Sequence, residues 1–296
     1  MKQGILLTAF NQFALLKKLV DFFDNDFSIL IFLDKKSNLS ENEIEILRKS
    51  RNVVFLTRSF NVNWGGPNQL KSRLLLAEEA LNFPDLEYFH FITGQDFPIK
   101  SCDYIKNYIQ TNKGKEYIGN TELPKKEWIG NGGLDRVRYY YFHDYINYRT
   151  RVGKRILKGS LFLQKLFKIN RKIPEGFPKL YGGSPFWTLS YPCLKYIVDY
   201  TKENPDFLKR FEFCFGATEI YFQTILMNSH FKENVINKNL RYIDYKTRNN
   251  YSPAYLDETD YEKLLASDAL FARKLRYPTS EKLILRIEKN ILQSLP

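Results

Sequence analysis

Two adjacent cations near the C-terminus, Arg273 and Lys274 in the string FARKL, have the chemistry to offset a polyphosphate. A guanidinium can bind phosphate oxygens bidentately, and an ammonium adds a compact point charge. A carboxylate that could take a proton from a hydroxyl stands in GATEIYFQTIL, where Glu219 opens an apolar stretch that reads as a buried helix. Neighbours as bulky as Tyr221 and Phe222 would desolvate that carboxylate and raise its pKa towards the value of a useful base. Taken alone, each feature has a plainer reading. An Arg-Lys dipeptide is usually solvated surface charge, and a glutamate at a helix start usually serves the helix dipole.

Other chemistries are poorly provided for. The turn Thr93-Gly94-Gln95-Asp96 offers one carboxylate where an Asp-x-Asp metal pair would follow a strand, and Asp24-Asn25-Asp26 precedes a strand, so it reads as a helix-to-strand turn. His90, His143 and His230 lack ligand spacing, so no metal site is expected. Neither G-x-G-x-x-G nor G-x-x-x-x-G-K-S/T occurs, which argues against a dinucleotide or P-loop site. Three cysteines with no CxxC pair make no disulfide framework and fit a reducing cytoplasm.

Positioning these residues falls to alternating strands and helices in the first hundred residues. Strands are expected at 4–10, 27–34, 53–57 and 87–96, with helices at 13–23, at 38–50 with Ser40 as cap and Glu43 three residues on, and at 72–82. The pattern predicts an α/β fold with a mostly parallel central sheet flanked by helices. Ligands of such sheets collect past the carboxyl ends of strands. The residues there are Thr8, Ala9 and Phe10, then Asp34, then Trp64 with Gly65 and Gly66, and Gly94 to Asp96. The glycines after Trp64 would let the backbone approach a ligand closely.

With 296 residues, 44% of them hydrophobic, the chain can bury one large core. We read a single catalytic domain over 1–296, with a nucleotide-binding half at 1–100, an acceptor and catalytic half at 101–277 and a C-terminal helix at 278–296. Its net charge of +12 attracts anionic partners at long range. Between Tyr148 and Lys179, ten Lys or Arg face one acid, Glu175, and apolar residues recur at helical spacing. That segment reads as a basic amphipathic helix, either packed on the sheet or docked on an anionic membrane. No stretch is apolar for long enough to span a bilayer. A cytoplasmic protein, or one peripheral to the inner face of the cytoplasmic membrane, is expected.

The strings FLDKKS, NWGGPNQLKSRLLLAEEAL, FHFITGQDFPIKS, YGGSPFWTLS, GATEIYFQTIL, YSPAYL and LFARKL occur in this order from about residue 4 to 277. Together they resemble the core-2/I-branching β-1,6-N-acetylglucosaminyltransferase and peptide O-xylosyltransferase family, glycosyltransferase family 14, in its bacterial branch. That resemblance implies a GT-A-type fold and metal-independent transfer of xylose or N-acetylglucosamine from a UDP-sugar, with inversion to a β-linkage. The acceptor would be a hydroxyl of a glycan, glycolipid or peptide, in the synthesis of a bacterial surface glycan. No metal or other cofactor would be needed beyond the UDP-sugar co-substrate.

Residue by residue, the resemblance makes Glu219 the base and puts Arg273, Lys274 and Ser252 on the donor. It puts Asp34 on uracil or ribose and Glu122 on the acceptor. Thr8, Ala9, Trp64, Gly65, Gly66, Asp96, Ser184, Phe186 and Trp187 complete the expected donor site. Lys126 and Trp128, close behind Glu122, complete the acceptor site, where Trp128 either stacks on a sugar face or is buried. The chain departs from the family at Ala217 and Thr218, where Pro and Asp are common, and in the shifted aromatic order after Ser184. The competing class is a basic protein that binds nucleic acid or glycan without catalysis, recognisable by salt-sensitive binding indifferent to UDP. With the resemblance in hand, nucleic acid is not expected as a partner.

Overall fold

The computed structural model describes residues 1–248 and 250–293. Its strands are β1 (Lys2–Ala9), β2 (Phe27–Leu33), β3 (Val53–Thr57), β4 (Leu86–Thr93), β5 (Asp96–Pro98), β6 (Glu116–Ile118), β7 (Thr121–Glu122), β8 (Tyr181–Gly182), β9 (Trp187–Ser190), β10 (Val235–Ile236), β11 (Arg241–Ile243) and β12 (Phe271–Arg273). Seven of them form the central sheet, in the order β10-β6-β9-β4-β1-β2-β3, and β11-β12-β5 form a second, small one. In the large sheet every pairing is parallel except those of β9, which runs antiparallel to β4 and β6. The expected α/β architecture with a mostly parallel sheet is present.

The helices are α1 (Phe13–Phe22), α2 (Glu41–Arg48), α3 (Asn68–Ala80), α4 (Cys102–Thr111), α5 (Asp135–Arg138), α6 (Arg151–Leu166), α7 (Tyr191–Glu203), α8 (Pro205–Arg210), α9 (Tyr221–Met227), α10 (Tyr261–Leu265) and α11 (Glu281–Gln293). Both faces of the sheet are covered, so its strands are near-continuous apolar runs. Ile5, Leu7, Ile29 and Ile31 pack on one side with Leu15, Leu19 and Ile284, whereas Leu6, Leu30, Phe89 and Phe91 pack on the other with Leu76, Ile197 and Phe222.

Where the elements differ from expectation, a hydrogen bond to a side-chain carboxylate is the reason. Helix α3 starts at Asn68 and not at 72, because the Asp144 carboxylate accepts the Asn68 N–H at 2.7 Å. The strand expected over 87–96 breaks after Thr93, since Asp96 Oδ2 accepts both the N–H and the hydroxyl of Thr93 and closes a turn. Ser40 does cap α2, in a reciprocal capping box with Glu43. Asp24 and Asp26 are the expected turn, tied by Lys106 at 3.1 and 2.6 Å. Of the helix expected over 278–296, Glu281–Gln293 is helical and 294–296 lie outside the described residues.

Candidate active site

Glu219 is placed by a glycine. Gly216, at φ 63°, starts the short 3-10 turn Ala217–Glu219, a backbone conformation that side chains disfavour. Its N–H donates to Gly65 O at 2.9 Å, and Gly183 N–H donates to Glu219 O at 2.8 Å. Arg136 of α5 donates from Nη1 to Glu219 Oε2 at 2.5 Å, while Oε1 has no hydrogen-bond partner among the described residues. Behind it, the Arg136 guanidinium lies 4.1 Å from the Trp128 ring and 5.4 Å from that of Phe215. The aromatic environment expected from Tyr221 and Phe222 is corrected here. Both rings are fully buried in the core, against Phe207, Phe211 and Trp187, and an ion pair meets the carboxylate instead.

Arg273 is placed by strand pairing. Antiparallel β12 sets it opposite Asp96 on β5, with Nη1 3.4 Å from Oδ1. Those two atoms are buried, make no hydrogen bond and face each other as an ion pair. The Phe186 ring lies 4.2 Å beneath the guanidinium. Lys274 points to the Tyr255 ring, 4.7 Å away, which it shares with Arg276. Burial raises the Tyr255 pKa, but the Lys274 hydrogen bond and the charges of Lys274 and Arg276 outweigh it and hold the phenol below its usual value.

Two buried arginines join this centre that sequence reasoning passed over. Arg73 of α3 donates to Pro185 O at 2.5 Å and lies over Phe91. Burial lowers its pKa, Glu219 opposes that, Arg273 adds to it and Asp96 opposes it again, so Arg73 is within electrostatic range of all three. Arg241 donates to Asn239 O at 2.5 Å and Phe91 O at 2.8 Å, and it feels Asp96 and Arg273. Tyr245 lies in range of both Arg273 and Glu219. A signal for Arg73 was present: with Leu70, Ala77 and Ala80 it falls on the inward stripe of α3, where a charge is out of place.

The other expected residues divide. Asp34 is buried at the end of β2, where its Oδ1 accepts the N–H groups of Lys36 at 2.9 Å and Val62 at 3.2 Å. Thr8 and Ala9 contribute carbonyls, to Gly94 N–H and Asp34 N–H, both at 2.9 Å. Trp64 packs on Tyr148 and Phe215. Gly65 and Gly66 are demanded by protein neighbours: an added Cβ would lie 2.5 Å from the Phe215 ring and 2.1 Å from Asp144 Oδ1 respectively. Ser184 accepts from Asn239 at 2.8 Å, and Ser252 donates to Tyr245 O at 3.0 Å.

Trp187, expected on the donor, is fully buried in the core. Trp128 reaches Glu219 through Arg136, whereas Glu122 pairs with Lys179 at 2.8 Å and Lys126 is exposed. Among the described residues no group of three His, Cys, Asp or Glu is arranged to hold a metal ion, and no helix is long and apolar enough to cross a membrane.

A carboxylate and a set of arginines thus come together beside the end of a parallel sheet, and all of them but Arg273 lie in the stretch of chain that carries a family signature. The profile of the Core-2/I-Branching enzyme family matches residues 5–265. The chain belongs to that family. Among curated proteins it is similar to "Xylosyltransferase oxt" of Drosophila pseudoobscura pseudoobscura, 23% identical over 276 residues, which cover 86% of this chain and 29% of that one. It is also similar to "Xylosyltransferase 2" of Canis lupus familiaris, 25% identical over 223 residues, covering 74% and 23%. The chain therefore spans less than a third of the length of these relatives. Among solved structures, S. aureus TarS 1-349 in complex with UDP-GlcNAc aligns over 40% of this chain and 34% of that one, with 15% identity and a TM-score of 0.31, too partial to bear on the site. Membership of an enzyme family meets the expectation of a catalyst and names its class.

Proposed function

We propose that this chain is an inverting, metal-independent glycosyltransferase domain of GT-A type that moves xylose or N-acetylglucosamine from a UDP-sugar to an acceptor hydroxyl. The observation that carries the reading is that one short segment, Gly183 to Phe186, touches Glu219, Arg73 and Arg273, which are remote in sequence. Gly183 N–H donates to Glu219 O, Pro185 O accepts from Arg73, and the Phe186 ring lies under Arg273. In the reaction, Glu219 accepts the acceptor hydroxyl proton through its unpartnered Oε1 while Arg136 orients the carboxylate through Oε2. The acceptor oxygen bonds to the anomeric carbon from the side opposite the diphosphate, inverting it. The sugar–phosphate bond breaks and UDP leaves with the electron pair, its growing charge offset by Arg273, Lys274 and Arg73. Asp34, Thr8, Ala9 and the Trp64–Gly66 turn belong to the nucleotide side, and Trp128 to the acceptor side.

A bacterial surface glycan, made at the inner face of the cytoplasmic membrane, is the acceptor context in this reading. A UDP-release screen with UDP-xylose, UDP-N-acetylglucosamine and UDP-glucose, with and without EDTA, tests it. Release from one donor that survives EDTA is expected, and strict manganese dependence would remove the cation-based mechanism.

A further inference from the structure

Helix α6 has three faces, and one of them is unusual. Gly153, Leu157 and Gln164 face inward, where Gln164 clamps the Tyr140 backbone through both its N–H, at 2.8 Å, and its carbonyl, at 3.0 Å. At about 3.6 residues per turn, Val152, Ile156, Phe162, Leu163, Leu166 and Phe167 fall in one arc to the side of that face. These six are between 50% and 68% exposed, so the apolar arc is turned to solvent and not into the core. Next to it run Arg151, Lys154, Lys158 and Lys165, the third face, and Arg155 stands at the near edge of the apolar arc, between Phe162 and Leu166; these are the five cations of the helix. Lys165 is tied to Asp135 at 2.7 Å, and the other four have no carboxylate partner among the described residues.

We propose that α6 lies in the plane of an anionic lipid bilayer, with its bulky apolar arc among the acyl chains and its lysines and arginines on the headgroups. Charge complementarity chooses this occupant. Ten basic residues stand against one acid between Tyr148 and Lys179, and the bulky apolar side chains are flanked by long cations that can reach up to the headgroups. An acidic protein would be matched by the charge but not by a convex arc of six large apolar groups. The attachment also has a consequence for the centre described above. Lys165 holds Asp135, the residue before Arg136, so the membrane-bound helix would be tethered to the segment that orients Glu219.

Lipid binding is measured without donor or acceptor, so its outcome is independent of the transfer reaction. Co-sedimentation with phosphatidylcholine vesicles, with and without phosphatidylglycerol, is expected to show capture only by the anionic set and release on raising salt. The exposed-residue variant I156S/L163S/F167S should abolish capture while leaving thermal unfolding unchanged. The variant K154Q/R155Q/K158Q should weaken it about fivefold per charge, or about a hundredfold in total. Equal binding to neutral and anionic vesicles, salt-insensitive binding, or unchanged capture of I156S/L163S/F167S would overturn the proposal. So would a wild-type dimer that the same substitutions convert to monomer without affecting vesicles, because a second copy would then be what covers the arc.

Discussion

Two aspartates close strands of the same sheet, and they are used in opposite ways. Asp34, after β2, accepts backbone N–H groups from its own turn and from the loop at Val62, and so stitches one loop to another. Asp96, after β4, spends one oxygen on Thr93 and turns the other to Arg273, a cation delivered from the far end of the chain. The first carboxylate takes its hydrogen bonds from peptide groups that any sequence would supply, and its other oxygen stands 3.9 Å from the partly exposed Lys36 ammonium. The second is a fully buried charge whose balance depends on particular side chains: Arg273, with Arg73 and Arg241 in range. The difference teaches that a strand-end acid is scaffold when backbone donors surround it, and part of an electrostatic centre when side-chain cations do.

Substitutions can separate the two turns. The largest effect is expected at the centre itself: Glu219→Gln should lower turnover by roughly two to four orders of magnitude, with UDP affinity by calorimetry little changed. A variant that kept its turnover would remove Glu219 as the base. Next, Arg273→Met leaves Asp96 buried without its cation and should cost about 3–5 kcal/mol of stability in urea unfolding. Adding Asp96→Asn should restore much of the loss, and a single substitution that cost nothing would make Arg273 ordinary surface charge.

A pH effect of similar or smaller size is expected beside the Trp64–Gly66 turn. Burial pushes the His143 pKa down to about 4, below the ordinary histidine value, so on acidification the unfolded chain takes up a proton first. Stability contributed by this neutral histidine is therefore full above about pH 6.5 and is lost as the pH falls towards 4, by about 3 kcal/mol at most. His143→Phe should flatten that part of the stability curve; buried His90 acts in the same direction and will remain. The smallest effect belongs to the scaffold turn. Asp34→Ala should cost about 1–2 kcal/mol and raise the donor KM, leaving kcat nearly intact. A large fall in kcat would erase the distinction between the two aspartates.

Much of the fold was legible. The first four strands, α1 and the capped α2 follow from apolar runs and from Ser40 with Glu43, because their determinants are local. The start of α3 was misplaced because its capping acceptor, Asp144, is far away in sequence. In the site, Glu219, Arg273 and Asp96 were picked out by residue type and order, but what surrounds each was not. Nothing in the residues beside them marks Arg136 or Arg73 as a partner of Glu219, because neither is near it in sequence. Gly65 and Gly66 stand out in the sequence as glycines, but that Phe215 and Asp144 crowd them is visible only in the fold.

By itself, the sequence determined the α/β alternation, the family, and the inventory of acids and cations, since periodicity, capping and motif order are written in neighbouring residues. Tertiary structure alone decided which charges meet. Arg136 reaches Glu219 and Arg273 reaches Asp96 only after strand pairing and helix packing have closed loops of many residues. Coulomb energy depends on distance in space and on burial, and the order of residues along the chain prescribes neither directly.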